Sequence, residues 1–390
     1  MKNVLPIIVL CQFLCTSIWF AGNSVLPDLI FELNLDQTYL GNLTSAVQLG
    51  FITGTLVFAV FTISDKFSPS RVFLICSIFG SSFNFMVSLD GMNAIDILIF
   101  RFMTGFFLAG IYPVGMKIAA DYFQKGLGKS LGLLVGALVL GTSFPHLVKS
   151  VTDGLPWKTV LYTTSFFALV GGILLFSLVP DGPFRKPGRK FHFSAFLSVF
   201  RIRAFRAAAF GYFGHMWELY AFWAFIPFIL QSFATLHGTN FNIPLWSFII
   251  IAVGGISCAL GGVLSEKFNP KYIASFALGL SGICCLLSPI FLLQPFSELL
   301  LLFLLIWGLS ITADSPMFST LVAQNSPDTA RGTALTIVNC LGFAITIISI
   351  QALSLLSELI DVQYLFLILA LGPFFGLIAM VKLRFLNPSI

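Results

Sequence analysis

The chain has 390 residues, of which 57% are hydrophobic and 9% charged, with a formal net charge of +5 and a mean hydropathy of +0.97. A soluble domain carries about a quarter charged residues, so this composition excludes a water-soluble enzyme or binding module: no single core hides that much apolar surface. The apolar residues instead recur in runs along the whole length, each near the roughly 20 residues that cross hydrocarbon, and the length holds about a dozen such runs.

Taken in chain order, residues 1–35 open with one lysine and an apolar stretch too long for a signal-peptide core, with no small-residue cleavage site behind it, so they are expected to form a first permanent helix. Apolar runs between polar breaks place spans at 4–28, 40–63, 71–89, 95–119, 129–149 and 158–180, then at 206–232, 244–264, 271–293, 299–322, 332–355 and 363–383. Residues 181–205 form the longest polar break, basic and with two prolines; their FSAFLSVF portion is either an amphipathic helix on the inner leaflet or a solvated connector. Lys and Arg are retained on the cytoplasmic side of a membrane, and an inside N-terminus puts 18 of the 21 basic residues in inner segments. Only Lys149 and Lys158 then lie outside, where Glu32, Asp36, Asp90, Asp96, Asp153, Glu298, Glu358 and Asp361 gather. Both termini are therefore expected to be cytoplasmic and the span count even. The same asymmetry explains the positive charge without a nucleic-acid partner.

Seven cysteines (Cys11, Cys15, Cys76, Cys258, Cys284, Cys285 and Cys340) all fall inside apolar runs and read as small packing residues rather than disulfides or zinc ligands. His146, His192, His215 and His237 show no metal spacing. No Gly-x-x-x-x-Gly-Lys-Ser/Thr loop occurs, so ATP hydrolysis by the chain itself is not expected. Neither a metal nor another cofactor is anticipated.

An internal repeat is visible. Ser64-Asp65-Lys66-Phe67-Ser68-Pro69-Ser70-Arg71-Val72, between spans two and three, matches Ser265-Glu266-Lys267-Phe268-Asn269-Pro270-Lys271-Tyr272-Ile273, between spans eight and nine. At nearly the same offset Pro27 pairs with Pro227, Gly105 with Gly308 and Pro113 with Pro316. Two halves of like orientation are implied, the parallel repeat of some transporters. On these residues the chain resembles the major facilitator superfamily over essentially its whole length. That family's loop after the second helix reads Gly-x-x-x-Asp-Arg/Lys-x-Gly-x-Arg/Lys-Arg/Lys. This chain supplies Asp65, Lys66 and Arg71, departs at Phe61, Ser68 and Ser70, and in the second copy keeps Gly262, Glu266, Lys267 and Lys271. The resemblance implies an all-α integral membrane protein of twelve transmembrane helices: a six-helix half over 1–180, a cytoplasmic linker over 181–205 and a second six-helix half over 206–390. Such loops can hold a charge cluster that biases inward-open against outward-open states, which gives Asp65, Lys66, Arg71, Glu266 and Lys267 a gating role; the alternative is that Asp65 and Lys66 only cap and anchor helices.

Charged groups inside a span cost at least ~2.5 kcal/mol, so each needs a reason. Arg101 opens Arg101-x-x-x-Gly105 in the fourth span, similar to that family's fourth-helix arginine motif, and shares a helix face with Gly105, Leu108 and Tyr112. It is expected to face a central cavity, binding an anion or pairing with a carboxylate, unless the pairing is purely structural. In the seventh span His215 and Glu218 are three apart and project together, so a shared hydrogen bond and a proton-carrying Glu218 are expected. Asp314 precedes Pro316 in the tenth span; with Ser315 it either binds a ligand or repairs the helix that the proline interrupts. Asn23, Gln48, His146, Lys149 and Asn339 are softer candidates, and Trp19, Trp217, Tyr220 and Trp223 are aromatic walls or packing residues. Spans one, four, seven and ten line the cavity in the family, which selects Arg101, Tyr112, Trp217, Tyr220, Asp314 and Asn23 for substrate and Glu218 with His215 for the proton.

The expected function is secondary active transport by alternating access: proton-coupled uptake of a small polar or anionic metabolite by a monomer in a cell membrane, such as a bacterial inner membrane. Export is the alternative within the class. The family's antiporter signature in span five, Gly-x-x-x-Gly-Pro-x-x-Gly-Gly, is met by Gly132, Gly136 and Gly141, but Ala137 and Leu140 depart from it, which weakens the case for drug efflux. Nitrate is disfavoured because spans two and eight lack the arginines of nitrate porters. A non-transporting receptor or scaffold is the alternative from another class.

Overall fold

In the computed structural model, which describes residues 4–36, 38–123, 127–185, 198–265, 267–327 and 330–382, all regular structure among the described residues is helical. Hydrocarbon offers no water to a free N–H or C=O, so a spanning segment satisfies its backbone within itself. Among the described residues, ten helical segments are long and apolar enough to cross a membrane. The third span, Pro69–Met86, and a first span built in pieces complete the twelve.

The breaks in the helices carry most of the architecture. The first span is not the continuous helix expected over 4–28: it runs Val4–Thr16, leaves the helical path at 17–20, and resumes as Ala21–Ser24 and Leu26–Leu33. The fourth span is Ala94–Leu108 followed by Tyr112–Tyr122, and the tenth is Ser297–Ala313 followed by Ser315–Gln324. Pro113 and Pro316 each stand second in the later piece. A proline lacks the N–H and clashes with the carbonyl a turn earlier, so both spans break at the same place for the same reason. Two glycines repeat as well. A Cβ on Gly105 would lie 2.0 Å from the Val47 carbonyl oxygen of the second span, and one on Gly308 would lie 2.2 Å from that of Ile250 in the eighth. Only a glycine lets these backbones approach, and the fourth span therefore packs on the second as the tenth packs on the eighth.

The seventh span, Arg203–His237, is longer than the expected 206–232 and runs through Pro227 to a left-handed Gly238. Of the 181–205 break, residues 186–197 lie outside the described residues, including most of FSAFLSVF. Between the two halves, the fifth span (Leu127–Val151) meets the eighth (Ile243–Leu264) through Gly132 against Gly262 and Gly136 against Gly255, with prospective Cβ positions 2.9 Å from backbone atoms. Gly141 packs on Thr16 of the first span. The three glycines of the partial antiporter signature are thus close-packing positions here.

Candidate functional site

A cavity of about 880 Å³ lies between the halves. Its walls come from the second span and its following loop (Thr55, Asp65), the fourth (Tyr112, Lys117), the tenth (Ser319, Gln324) and the eleventh (Thr336, Asn339). Above it, sharing Tyr112, Met116, Ser319 and Asn339, a chamber of about 50 Å³ reaches Tyr212, His215, Tyr220, Trp223 and Phe343. An aromatic layer roofs the chamber. The Trp19 ring lies 5.8 Å from Tyr220 and 5.9 Å from Phe343, Phe51 lies 4.5 Å from Phe343, and Phe20 lies 6.3 Å from Trp223. Each pair joins the first half to the second. Trp19 lies within the break at 17–20.

Beyond the roof the halves are closed. The Gln351 amide donates to Asn42 at 3.2 Å and to Ser45 at 3.0 Å, Ser354 donates to the Thr38 carbonyl at 3.3 Å, and Ser150 donates to Asn242 at 3.2 Å. The cavity consequently opens only towards the side that carries the loop at 61–68 and the start of the linker, among the described residues.

The seventh and tenth spans meet at two levels. His215 Nδ1 lies 2.8 Å from Asp314 Oδ1, and His215 Nε2 lies 2.8 Å from Ser315 Oγ. Both His215 and Asp314 are buried, and the histidine ring forms part of the chamber wall. One turn away, Glu218 Oε1 accepts from Trp307 Nε1 at 2.7 Å and from Cys285 Sγ at 3.3 Å, while Glu218 Oε2 is 2.9 Å from Ser281 Oγ. The hydrogen bond expected between His215 and Glu218 is not formed. Three residues along a helix still separate two side chains by about 60°, enough for His215 to reach Asp314 and for Glu218 to turn towards Trp307 and the ninth span (Pro270–Leu293). Glu218 lines neither the cavity nor the chamber. Ser281 has one hydroxyl proton and a second acceptor, the Leu278 carbonyl, at 3.1 Å. It can therefore donate to an ionised Glu218, or donate to Leu278 and accept from a protonated one.

Arg101 also departs from expectation, because it does not line the cavity. Its Nη1 donates to the Ile18 carbonyl at 3.1 Å and to Asn84 Oδ1 at 2.9 Å; its Nη2 donates to Ile18 at 3.1 Å and to the Trp19 carbonyl. Those carbonyls are the ones that the break in the first span deprives of helical partners. The planar fork of the guanidinium bridges them, and Asn84 is itself tied to Thr164 and Ser165 at 3.1 and 2.9 Å. Neither an anion site nor a carboxylate partner surrounds Arg101 among the described residues; its charge is spent on the main chain. Sequence reasoning missed Asn84, which carried no signal beyond being an amide inside a span.

The other selected residues divide. Tyr112 and Tyr220 face the chamber, and Asn339 accepts from the Tyr212 hydroxyl at 3.1 Å. Trp217 points away, donating to the Ile368 carbonyl at 3.1 Å and packing on Gly372. Asn23 donates to Thr44 at 2.7 Å and does not line the cavity. Gln48 and His146 are buried, and neither polar atom of Gln48 nor Nε2 of His146 has a hydrogen-bond partner. Lys149 pairs with Asp28 at 2.8 Å.

At the cavity mouth Asp65 forms an ion pair with Lys117. Arg185 clamps the same loop, donating to the Asp65 carbonyl at 3.1 Å and the Phe67 carbonyl at 2.8 Å while pairing with Asp181 at 2.6 Å, and Ser68 donates to Asp181 at 2.7 Å. Sequence reading singles out none of Lys117, Asp181 and Arg185. Lys66, Arg71 and Lys267 are exposed, with no ion pair among the described residues, and Glu266 lies outside them.

Comparison with known proteins follows the same lines. The chain matches the Major Facilitator Superfamily over residues 8–349, with a second match over 208–389. Comparison with curated proteins finds no match. Among solved structures, the proton:xylose symporter XylE bound to 6-bromo-6-deoxy-D-glucose superposes with a TM-score of 0.77 at 14% identity, covering 98% of this chain and 95% of that one. A bacterial homolog of the human lysosomal transporter Spinster, inward-facing and unoccupied, gives 0.70 at 17% identity over 100% and 99% of the two chains. The nucleoside transporter NupG (D323A mutant) gives 0.72 at 17% identity over 98% and 100%. At these identities the likeness is one of fold.

Proposed function

The chain belongs to the major facilitator superfamily, and on that premise we propose that it is a proton-coupled secondary active transporter, an uptake porter for a small polar molecule, working as a monomer by alternating access. The observation that carries this reading is the one-sided cavity: about 880 Å³ between two repeat-related halves, open at the linker side and shut beyond an aromatic roof. A substrate seated below that roof is exposed to one side at a time when the halves rock. The excess of basic residues in the linker-side segments makes that side cytoplasmic, so the cavity is inward-facing.

The proton belongs with the buried acids of the second half. The sequence points to Glu218 tuned by His215; the geometry favours the His215–Asp314 pair, because His215 reaches the chamber whereas Glu218 is enclosed by donors from the ninth and tenth spans. Substrate and proton then meet at one wall, and loss of a proton from the pair biases the two cavity states differently. The Asp65–Lys117 pair and the Arg185 clamp hold the mouth in its present state and must loosen for closure, which gives Asp65 its gating role. The test is a thermal-shift screen of the purified protein against polar metabolites, followed by addition of any hit to proteoliposomes loaded with a pH-sensitive dye. A stabilising compound that also drives proton movement supports the reading; one that binds and moves no proton removes the coupling.

A further inference from the structure

We infer that the molecule carried is uncharged, a ring bearing hydroxyl groups on its edge and presenting a flat apolar face. This rests on the transport reading above. Among the described residues no Lys, Arg, Asp or Glu lines the upper chamber, and the one imidazole on its wall, that of His215, has Nδ1 2.8 Å from the Asp314 carboxylate. An anion seated in the chamber would find no cation on its wall, and of the two cations on the wall of the wider cavity, Arg331 donates to the Ala323 carbonyl at 3.0 Å and Lys117 pairs with Asp65. Arg101 is buried behind the first span on main-chain carbonyls, and Lys117 is held by Asp65 at the mouth. A cation would fare no better, since Glu218 already accepts from Trp307 and Cys285 in a site closed off from the chamber. An ion in a low-dielectric site without a partner is costly, so both signs are disfavoured.

What the chamber does offer is aromatic faces and orphaned polar atoms. Tyr112, Tyr220, Trp223 and Phe343 line it, and the Nε1 of Trp223, a residue 1% exposed, has no hydrogen-bond partner. Trp19, stacked over Phe343 in the roof, has an unpartnered Nε1 too, and Gln48, one turn from the roof residue Phe51, has neither polar atom satisfied. Buried polar groups are nearly always hydrogen-bonded, so each exception calls for a partner such as a ligand or a water. Indole N–H groups beside aromatic faces suit hydroxyl oxygens on the rim of a ring whose face stacks. A chamber of about 50 Å³ takes one exocyclic group, with the ring below it in the wider cavity among Ser319, Asn339 and Thr336. Monosaccharides and nucleosides share this chemistry.

The experiment measures binding to the full chain in nanodiscs by tryptophan quenching and thermal shift, using matched sets: glucose, glucuronate and glucosamine in one arm, uridine and uridine monophosphate in the other. One neutral member is expected to bind saturably, with its charged counterparts weaker by at least about tenfold; the arm in which this happens separates sugar from nucleoside. Trp223→Phe keeps the aromatic face and removes the N–H, and should weaken that binding by about 3- to 10-fold. Equal or tighter binding of a charged counterpart overturns the inference, as does failure of every neutral member to saturate. Vesicle counterflow with the same compounds keeps the two readings apart. Exchange of a charged counterpart alone leaves transport standing and this inference fallen, whereas a neutral ring that binds and never exchanges does the reverse.

Discussion

The two halves of this molecule bury ionisable groups equally completely, Arg101 in the first and Glu218 and Asp314 in the second, and use them oppositely. In the first half Arg101 is consumed by architecture: its guanidinium donates to the Ile18 and Trp19 carbonyls and to Asn84. In the second half the buried acids keep choices open. Asp314 faces His215 beside the chamber, and Glu218 shares a serine whose proton has two acceptors. A fixed cation paired with neutral dipoles builds a shape, while an acid paired with groups that can give or take a proton builds a switch. The difference teaches that depth in the membrane marks an ionisable residue as necessary without saying for what; its partners decide that.

The largest effect that sharpens this contrast is expected from Arg101→Ala. It strands two carbonyls and Asn84 in the bundle, so stability should fall by on the order of 3 kcal/mol, read as an earlier thermal unfolding transition in detergent. Arg101→Lys should recover only part of it, since an ammonium lacks the fork. If Arg101→Ala unfolds like the parent and yet does not transport, the arginine belongs to the mechanism and the contrast collapses.

Next in size, Asp314→Asn should abolish accumulation driven by a pH gradient while leaving the unfolding transition near that of the parent and preserving exchange of labelled for unlabelled substrate. Glu218→Gln should slow accumulation without abolishing it, because a glutamine oxygen can still accept from Trp307 and Cys285. Should the two variants behave the other way round, the proton site moves to Glu218. The smallest effect is expected from Asp65→Asn. Its ion pair with Lys117 is partly exposed, and such pairs contribute up to ~1 kcal/mol, so the transport rate should fall by no more than about fivefold with substrate affinity nearly unchanged. A parental rate would reduce the loop to an anchor.

Much of the architecture is legible in the sequence because it follows from local rules. Apolar runs give twelve spans, and the paired Pro113 and Pro316, Gly105 and Gly308 announce a duplication that the structure realises as paired breaks and paired contacts. The break at 17–20 was not legible: it has no proline, and the carbonyls it frees are met by Arg101, far away in sequence, which makes an unwound turn tolerable in hydrocarbon. The site was read in part for a related reason. Helical spacing puts His215 and Glu218 on neighbouring faces but cannot say which neighbour each will meet. Trp217, one residue from Glu218, turns to Ile368 instead of the cavity. Tyr112 and Tyr220 were legible because they adjoin the broken fourth span and the aromatic cluster of the seventh. The mouth clamp of Lys117, Asp181 and Arg185 was hidden because interfacial charges look alike until a partner is known.

The central claim is that one cavity is exposed to alternate sides under the control of protonation in the second half. Distances between spin labels test it without a known substrate: one pair at Phe31 and Leu359, exposed beyond the roof, and another at Phe67 and Lys267, exposed at the linker side. As pH is stepped over the range in which the protein stays folded, one distance should lengthen while the other shortens, and Asp314→Asn should remove the pH dependence of both. Two distances that stay fixed across that range, or that rise and fall together, would contradict the account.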